Sequence, residues 1–112
     1  MKTYSIKWSK DASEELKCLI KYLVGKSGTA SAGKIYDKLI SKVDDLKNYP
    51  YKGRYVPELE KLGIVSIHEL IVYPWRIFYR IDENNVFIIS IIDGRRNIEE
   101  ILFSKMNDRN FK

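Results

Sequence analysis

The apolar residues change period along this 112-residue chain, and that switch limits the folds open to it. Ala12, Leu16, Leu19, Ile20 and Leu23 recur at helical spacing and share one face. Ala32, Ile35, Tyr36, Leu39, Ile40, Val43 and Leu46 form a second helical stripe. From Val65 to Ile92 the pattern becomes that of strands. Ahead of both, Tyr4, Ile6 and Trp8 alternate with Ser5 and Lys7 as a short strand does. Runs of helix followed by runs of strand specify an α+β fold, not a doubly wound α/β sheet.

Local signals place the boundaries. Ser9 or Asp11 can cap the first helix, with Glu14 completing a capping box on Asp11. Gly25 is the expected C-cap, residues 26–30 the expected loop, and Ser31 a cap for the second helix. Asn48 and Pro50 stop that helix. Residues 49–64 carry two prolines and two glycines and predict an irregular segment packed across the domain. Three strands follow: Val65–Tyr73, one from Trp75 to Ile81, and Val86–Ile92, joined by short turns as a meander. Trp75, Ile77, Tyr79 and Ile81 point one way, and Arg76, Phe78 and Arg80 the other. Asn97 with Glu100 caps a tail helix carrying Ile98, Ile101 and Leu102. The predicted order is β-αα-βββ-α, a helical hairpin packed on a small antiparallel sheet. Residues 1–112 read as a single domain.

Charge narrows the partner. There are 20 Lys and Arg against 15 Asp and Glu, a formal net charge of +5. Up to residue 60 there are 12 basic and 8 acidic residues, and Arg54 is the sole arginine there. Arg76, Arg80, Arg95, Arg96 and Arg109 all lie in the second part. Arginine presents a planar fork suited to phosphate and carboxylate, whereas lysine is a mobile point charge. The arginines therefore mark the candidate site, and Lys34, Lys38 and Lys42 read as a solvated helix face. Cys18 and His68 are each the one residue of their type, so no disulfide and no Cys/His metal spacing exists within the sequence. No cofactor motif is present: the stretch from Gly25 to Thr29 lacks the earlier glycine of a phosphate loop and follows a helix. Neither a signal peptide nor a membrane span is evident, and the expectation is a cytoplasmic protein with no membrane partner.

His68 and Glu69 are neighbours in a strand and so face opposite ways, which argues against a shared acid–base pocket. Arg76, Arg80, Arg95 and Arg96, with Glu69 and Tyr79 nearby, form the informative constellation. The turn through Gly94 is expected to bring Arg76 close to Arg95 and Arg96.

The segments Val72-Tyr73-Pro74-Trp75-Arg76-Ile77-Phe78-Tyr79-Arg80-Ile81 and Val86 through Arg96 resemble the C-terminal half of RelE/ParE-type toxins of bacterial toxin–antitoxin systems. Pro50, Gly53-Arg54, Val56-Pro57-Glu58 and Glu69-Leu70 fit the same pattern, as do Trp8, Ala12 and Leu16. The resemblance spans roughly residues 3–103 and implies a toxin of plasmid-stabilisation type, neutralised by a cognate antitoxin protein. Operator DNA would be met indirectly, through the antitoxin. It leaves two targets open: DNA gyrase, bound by ParE-like members, and ribosome-bound mRNA, cut by RelE-like members. A nuclease would use Arg76 and Arg96 as cations and Glu69 as base. A binder would use Arg54, Arg76, Arg80, Arg95 and Arg96 as contacts. The strand that carries lysines in the nuclease branch carries Ile67 and Glu69 here, and the tail position of its tyrosine is apolar, near Leu102. Asp93 replaces the usual histidine before Gly-Arg-Arg. The pattern is therefore more ParE-like, and an inactive member that only binds antitoxin as a corepressor is the third possibility.

Overall fold

A computed structural model of the chain describes residues 3–106. Arg109 lies outside them. Strand β1 spans Ser5–Trp8, helix α1 Lys10–Asp44, β2 Arg54–Tyr55 and the single helical turn α2 Pro57–Glu60. Strands β3 His68–Val72, β4 Trp75–Asp82 and β5 Asn85–Asp93 lead to helix α3, Ile98–Met106.

Ser9, not Asp11, caps α1: its Oγ accepts from the Ala12 N–H at 3.0 Å and donates to the Ile89 carbonyl at 3.1 Å. One hydroxyl thus starts the helix and ties it to β5. The predicted hairpin is present, but its loop is shorter than expected. Helical backbone runs past Gly25 and breaks at Gly28 alone, with φ 86° and ψ 169°. That conformation is open in practice only to glycine. An unbroken 35-residue helix would extend about 52 Å, longer than the 41 Å greatest extent of the molecule. Instead the two arms lie side by side, with Leu16 and Ile20 across a groove from Tyr36 and Ile40.

The five strands form one sheet in the order β1-β5-β4-β3-β2. The expectation of a purely antiparallel sheet is corrected at one edge. β1 runs parallel to β5, Ile6 opposite Val86 and Trp8 opposite Ile88, because the hairpin returns the chain to the far side of the sheet. The segment 49–64 is not wholly irregular either: it contributes β2 and α2. The strand predicted from Val65 begins only at His68, and Val65 is exposed.

Alternation in β4 sorts the core into two layers. Trp75, Ile77, Tyr79 and Ile81 pack with Ala12, Leu39, Val43 and Leu46 under the hairpin. Phe78 packs on the opposite face with Val56, Leu59, Ile98 and Leu102 from α2 and α3. A bulge between Phe78 and Tyr79 shifts the pairing with β5. Ile88 and Ile91 therefore serve the first layer, and Ile89 and Ile92 the second. This is why β5 reads as nearly continuous apolar sequence: it is buried on both faces. No helix among the described residues is long and apolar enough to cross a membrane.

Candidate functional site

The candidate site is built around a buried carboxylate. Glu69 lies in β3 opposite Phe78, on the sheet face covered by α2 and α3, and is 1% exposed. A carboxylate so placed needs charged hydrogen-bond donors to offset its lost hydration. Two arginines supply them. Arg76 Nε donates to Glu69 Oε1 at 2.6 Å, and Arg54 Nε donates to Oε2 at 2.7 Å. Antiparallel pairing sets this geometry: Arg54 stands opposite Glu69 across β2–β3, and Arg76 lies one strand over in β4.

Arg76 is further engaged. Its two terminal nitrogens donate to the two oxygens of Glu58 on α2, both at 2.8 Å. Each of its three nitrogens is bonded to a carboxylate, its side chain is 12% exposed, and its guanidinium lies over the Phe78 ring at 5.4 Å. The bidentate contact holds the Glu58 carboxyl below its ordinary range, and the same bonds raise Arg76 further. Arg54 differs. Only its Nε is bonded among the described residues, and its side chain is 57% exposed.

The expected gathering of arginines is met only in part. The stem of Arg76 runs against Gly94, where a Cβ would come within 3.0 Å of its Cδ. The backbone approach is real, but the guanidiniums diverge. Arg95 folds back on Asp93, with its Nη2 2.7 Å from Oδ2, and pulls that carboxyl down to about 2. Arg96 is exposed and has no side-chain partner among the described residues; it borders a recess with Asn97, Ile101 and Lys105 at the start of α3. Arg80 is at the other end of β4, 4.3 Å over the Phe87 ring and 3.6 Å from Asp82. The carboxylates divide the cations among three places.

Tyr79 faces away from Arg76, as alternation predicts. Its hydroxyl donates to the Pro50 carbonyl at 2.8 Å and accepts from the Gly53 N–H at 3.0 Å. Burial pushes its phenol up to about 12. His68 also lies on that face and stacks on Tyr79 at 5.5 Å and 25°. Burial lowers its imidazole, and its Nδ1 has no partner among the described residues. The imidazole is partly buried. Two residues of importance carried no role in the sequence reading. Glu58 stood inside a quoted motif, but only the fold shows it closing on Arg76. Glu15, in α1, accepts from the Ser90 hydroxyl at 2.9 Å and the Ile91 N–H at 3.1 Å and so stabilises β5 at its irregular stretch. Neither has a local sequence signal, because both partners are distant in the chain.

The family model that matches residues 6–98 describes a ParE toxin of a type II toxin–antitoxin system, parDE. Solved structures that share the fold include two of toxin–antitoxin systems. One is from the chromosomal ParDE TA system of P. aeruginosa, with a TM-score of 0.66 and 19% identity, covering 81% of this chain and 96% of that one. The other is the toxin–antitoxin complex RelBE2 of Mycobacterium tuberculosis, with a TM-score of 0.60 and 19% identity, covering 83% and 93%. No curated protein sequence gives a significant match.

Proposed function

The chain is a type II toxin of the ParE toxin family, and from that premise we propose that it arrests growth by binding a protein target, DNA gyrase, rather than by cleaving RNA. The observation that carries this reading is the condition of Arg76 and Glu69. Metal-independent RNA cleavage needs a base for the 2′-hydroxyl, an acid for the leaving oxygen, and free cations for the phosphorane. Glu69 is buried, and both its oxygens are already bonded to guanidiniums. Arg76 has every nitrogen bonded to a carboxylate. The Tyr79 hydroxyl is committed to Pro50 and Gly53, and His68 is across the sheet from Glu69. In this reading Arg76 and Glu69 are supports. The target contacts fall to Arg54, Arg80, Arg95 and Arg96.

A cognate antitoxin is part of the same proposal. Two solved structures that share the fold are of toxin–antitoxin systems. The hairpin offers an open groove of about 520 Å³ lined by Trp8, Leu16, Ile20, Tyr36 and Ile40, with Lys17 and Lys21 on it. An amphipathic helix with an acidic flank suits that chemistry. Operator DNA is reached through the antitoxin, and the toxin acts in the cytoplasm as one domain.

The test is to induce the chain without an antitoxin and follow DNA and mRNA from the first minutes. Filamentation with gyrase-linked DNA breaks and intact messages is the expected result. Codon-dependent mRNA cuts preceding any DNA damage overturn it in favour of a ribosome-dependent nuclease. Undisturbed growth overturns it in favour of an inactive corepressor.

A further inference from the structure

Beside Arg54 the sheet ends at β2, and its last side chains open onto a recess that shares Arg54 with the ion-pair network. Tyr51, Arg54, Tyr55, Pro57 and His68 border this space, which is about 510 Å³. The rings are arranged around His68. Tyr55 lies 5.1 Å from it at a 40° tilt, and Tyr51 meets it edge-on at 6.0 Å. Tyr79 backs His68 from within the core. Tyr51 is 68% exposed, and Tyr49 and Tyr55 are exposed to a lesser degree.

We infer that this recess, which wraps around the β2 edge, is the surface through which the toxin grips its target: Arg54 takes a carboxylate on the face of Glu69, and Tyr51 and Tyr55 take an apolar side chain on the face of His68. The inference rests on the target-binding reading above and names the contact within it. Three observations select this occupant. First, Arg54 is a prepared donor. Glu69 fixes its Nε and leaves the two terminal nitrogens of the fork without partners among the described residues. A carboxylate is the planar anion that such a fork accepts on two bonds. Second, tyrosine and arginine around a shielded centre are the residue types that carry most of the energy in protein interfaces. Third, the charges nearby are of both signs. Arg54 and Glu60 both border the recess. A nucleic-acid backbone is met by a stripe of unpaired cations, whereas a mixed-sign rim suits a protein surface.

The geometry also explains the condition of Arg76. It is a positioning residue: with Glu58 it holds Glu69, and Glu69 in turn aims Arg54 outward. The Tyr79 hydroxyl, bonded to Pro50 and Gly53, sets the path of the segment that carries Tyr51.

The experiment measures binding of the purified full chain to purified DNA gyrase, with Tyr51→Ala, Arg54→Ala and, as a control on the solvated helix face, Lys38→Ala. Tyr51→Ala and Arg54→Ala are expected to weaken binding by about tenfold or more each, with unchanged melting for Tyr51→Ala. Lys38→Ala is expected to bind as the parent does. If the parent binds and both recess variants bind equally well, the recess is overturned while the gyrase reading stands. If the parent does not bind gyrase, the reading and the recess fall together. If a single-stranded 20-mer binds the parent and Tyr51→Ala abolishes it, the recess belongs to nucleic acid, and the protein-target inference is overturned.

Discussion

Arg76 Nε is 2.6 Å from Glu69 Oε1, one strand over and seven residues earlier in the chain, and the carboxylate it meets is almost fully removed from water. A buried charge of this kind is stable only while its partner remains. Arg76→Ala leaves Glu69 with Arg54 alone and leaves Glu58 without its bidentate partner. The expected cost is about 3–5 kcal/mol, read as a fall in the urea midpoint. Arg54→Ala leaves the buried Oε2 of Glu69 without its donor but keeps the Arg76 pair, and the expected cost is smaller, about 1–3 kcal/mol. Arg76→Ala is therefore expected to lose growth arrest through loss of folding, and Arg54→Ala, checked for melting, is the variant that reports on contact with the target. Equal destabilisation by the two would refute the hierarchy.

Acid should act through Glu58. Its carboxyl is held below the 4.5 of an ordinary glutamate, chiefly by its hydrogen bonds to Arg76. A depressed folded-state value means that the pair's stabilisation is fully present above the unfolded value. It is lost as pH falls from 4.5 through the folded value. Urea midpoints across acid pH should therefore decline below 4.5. In Glu58→Gln the decline should be shallower, from a lower starting point. An unchanged slope in that variant would exclude Glu58 as the responsible group.

Gly53 is required by packing. Its φ is unremarkable, but a Cβ there would collide with the Tyr79 ring and hydroxyl and with the Glu69 carbonyl oxygen. Gly53→Ala should cost about 1–3 kcal/mol, as overpacking does. Tyr79→Phe, which leaves the Pro50 carbonyl and Gly53 N–H without their partner, should cost about 1–3 kcal/mol. Thermal melting of the two variants and of their double mutant checks this. The double mutant should cost less than the sum, because both changes disturb one contact.

The two hairpin glycines should respond in opposite directions. At Gly28, with φ 86° and ψ 169°, alanine should destabilise by about 1–3 kcal/mol. At Gly25, within helical backbone and with open space around it, alanine should stabilise by about 0.5–1 kcal/mol. A stabilised Gly28→Ala would mean that the arms do not turn there.

Much of this architecture was legible in the chain because it follows from local periodicity. The stripes from Ala12 to Leu46 specify two helical arms, whatever sheet they cover. The alternation of Trp75, Ile77 and Tyr79 against Arg76 and Phe78 specifies which residues leave for which face. Asn97 and Glu100 cap α3 as expected, at 3.1 Å. The break at Gly28 instead of Gly25 was not legible: both are glycines in polar surroundings, and only the packing of one arm on the other selects the turning point. The parallel pairing of β1 was hidden for a similar reason, since strand direction depends on where the hairpin returns the chain.

The arginines mark the division most sharply. Sequence alone determined that most of the forked cations sit in a strand-rich second part that is close to charge balance, and that Arg76 and Glu69 belong to neighbouring strands. It also identified the toxin family through motifs that the matching family model bears out. Tertiary structure decided which cations remain free. A local pattern specifies the direction in which a side chain leaves the backbone. The partner it finds depends on segments brought together by folding, and a buried charge requires that partner. Glu58 reaches Arg76 across 18 residues of chain and Glu69 lies between two arginines, so Arg54 alone of that network keeps an open fork.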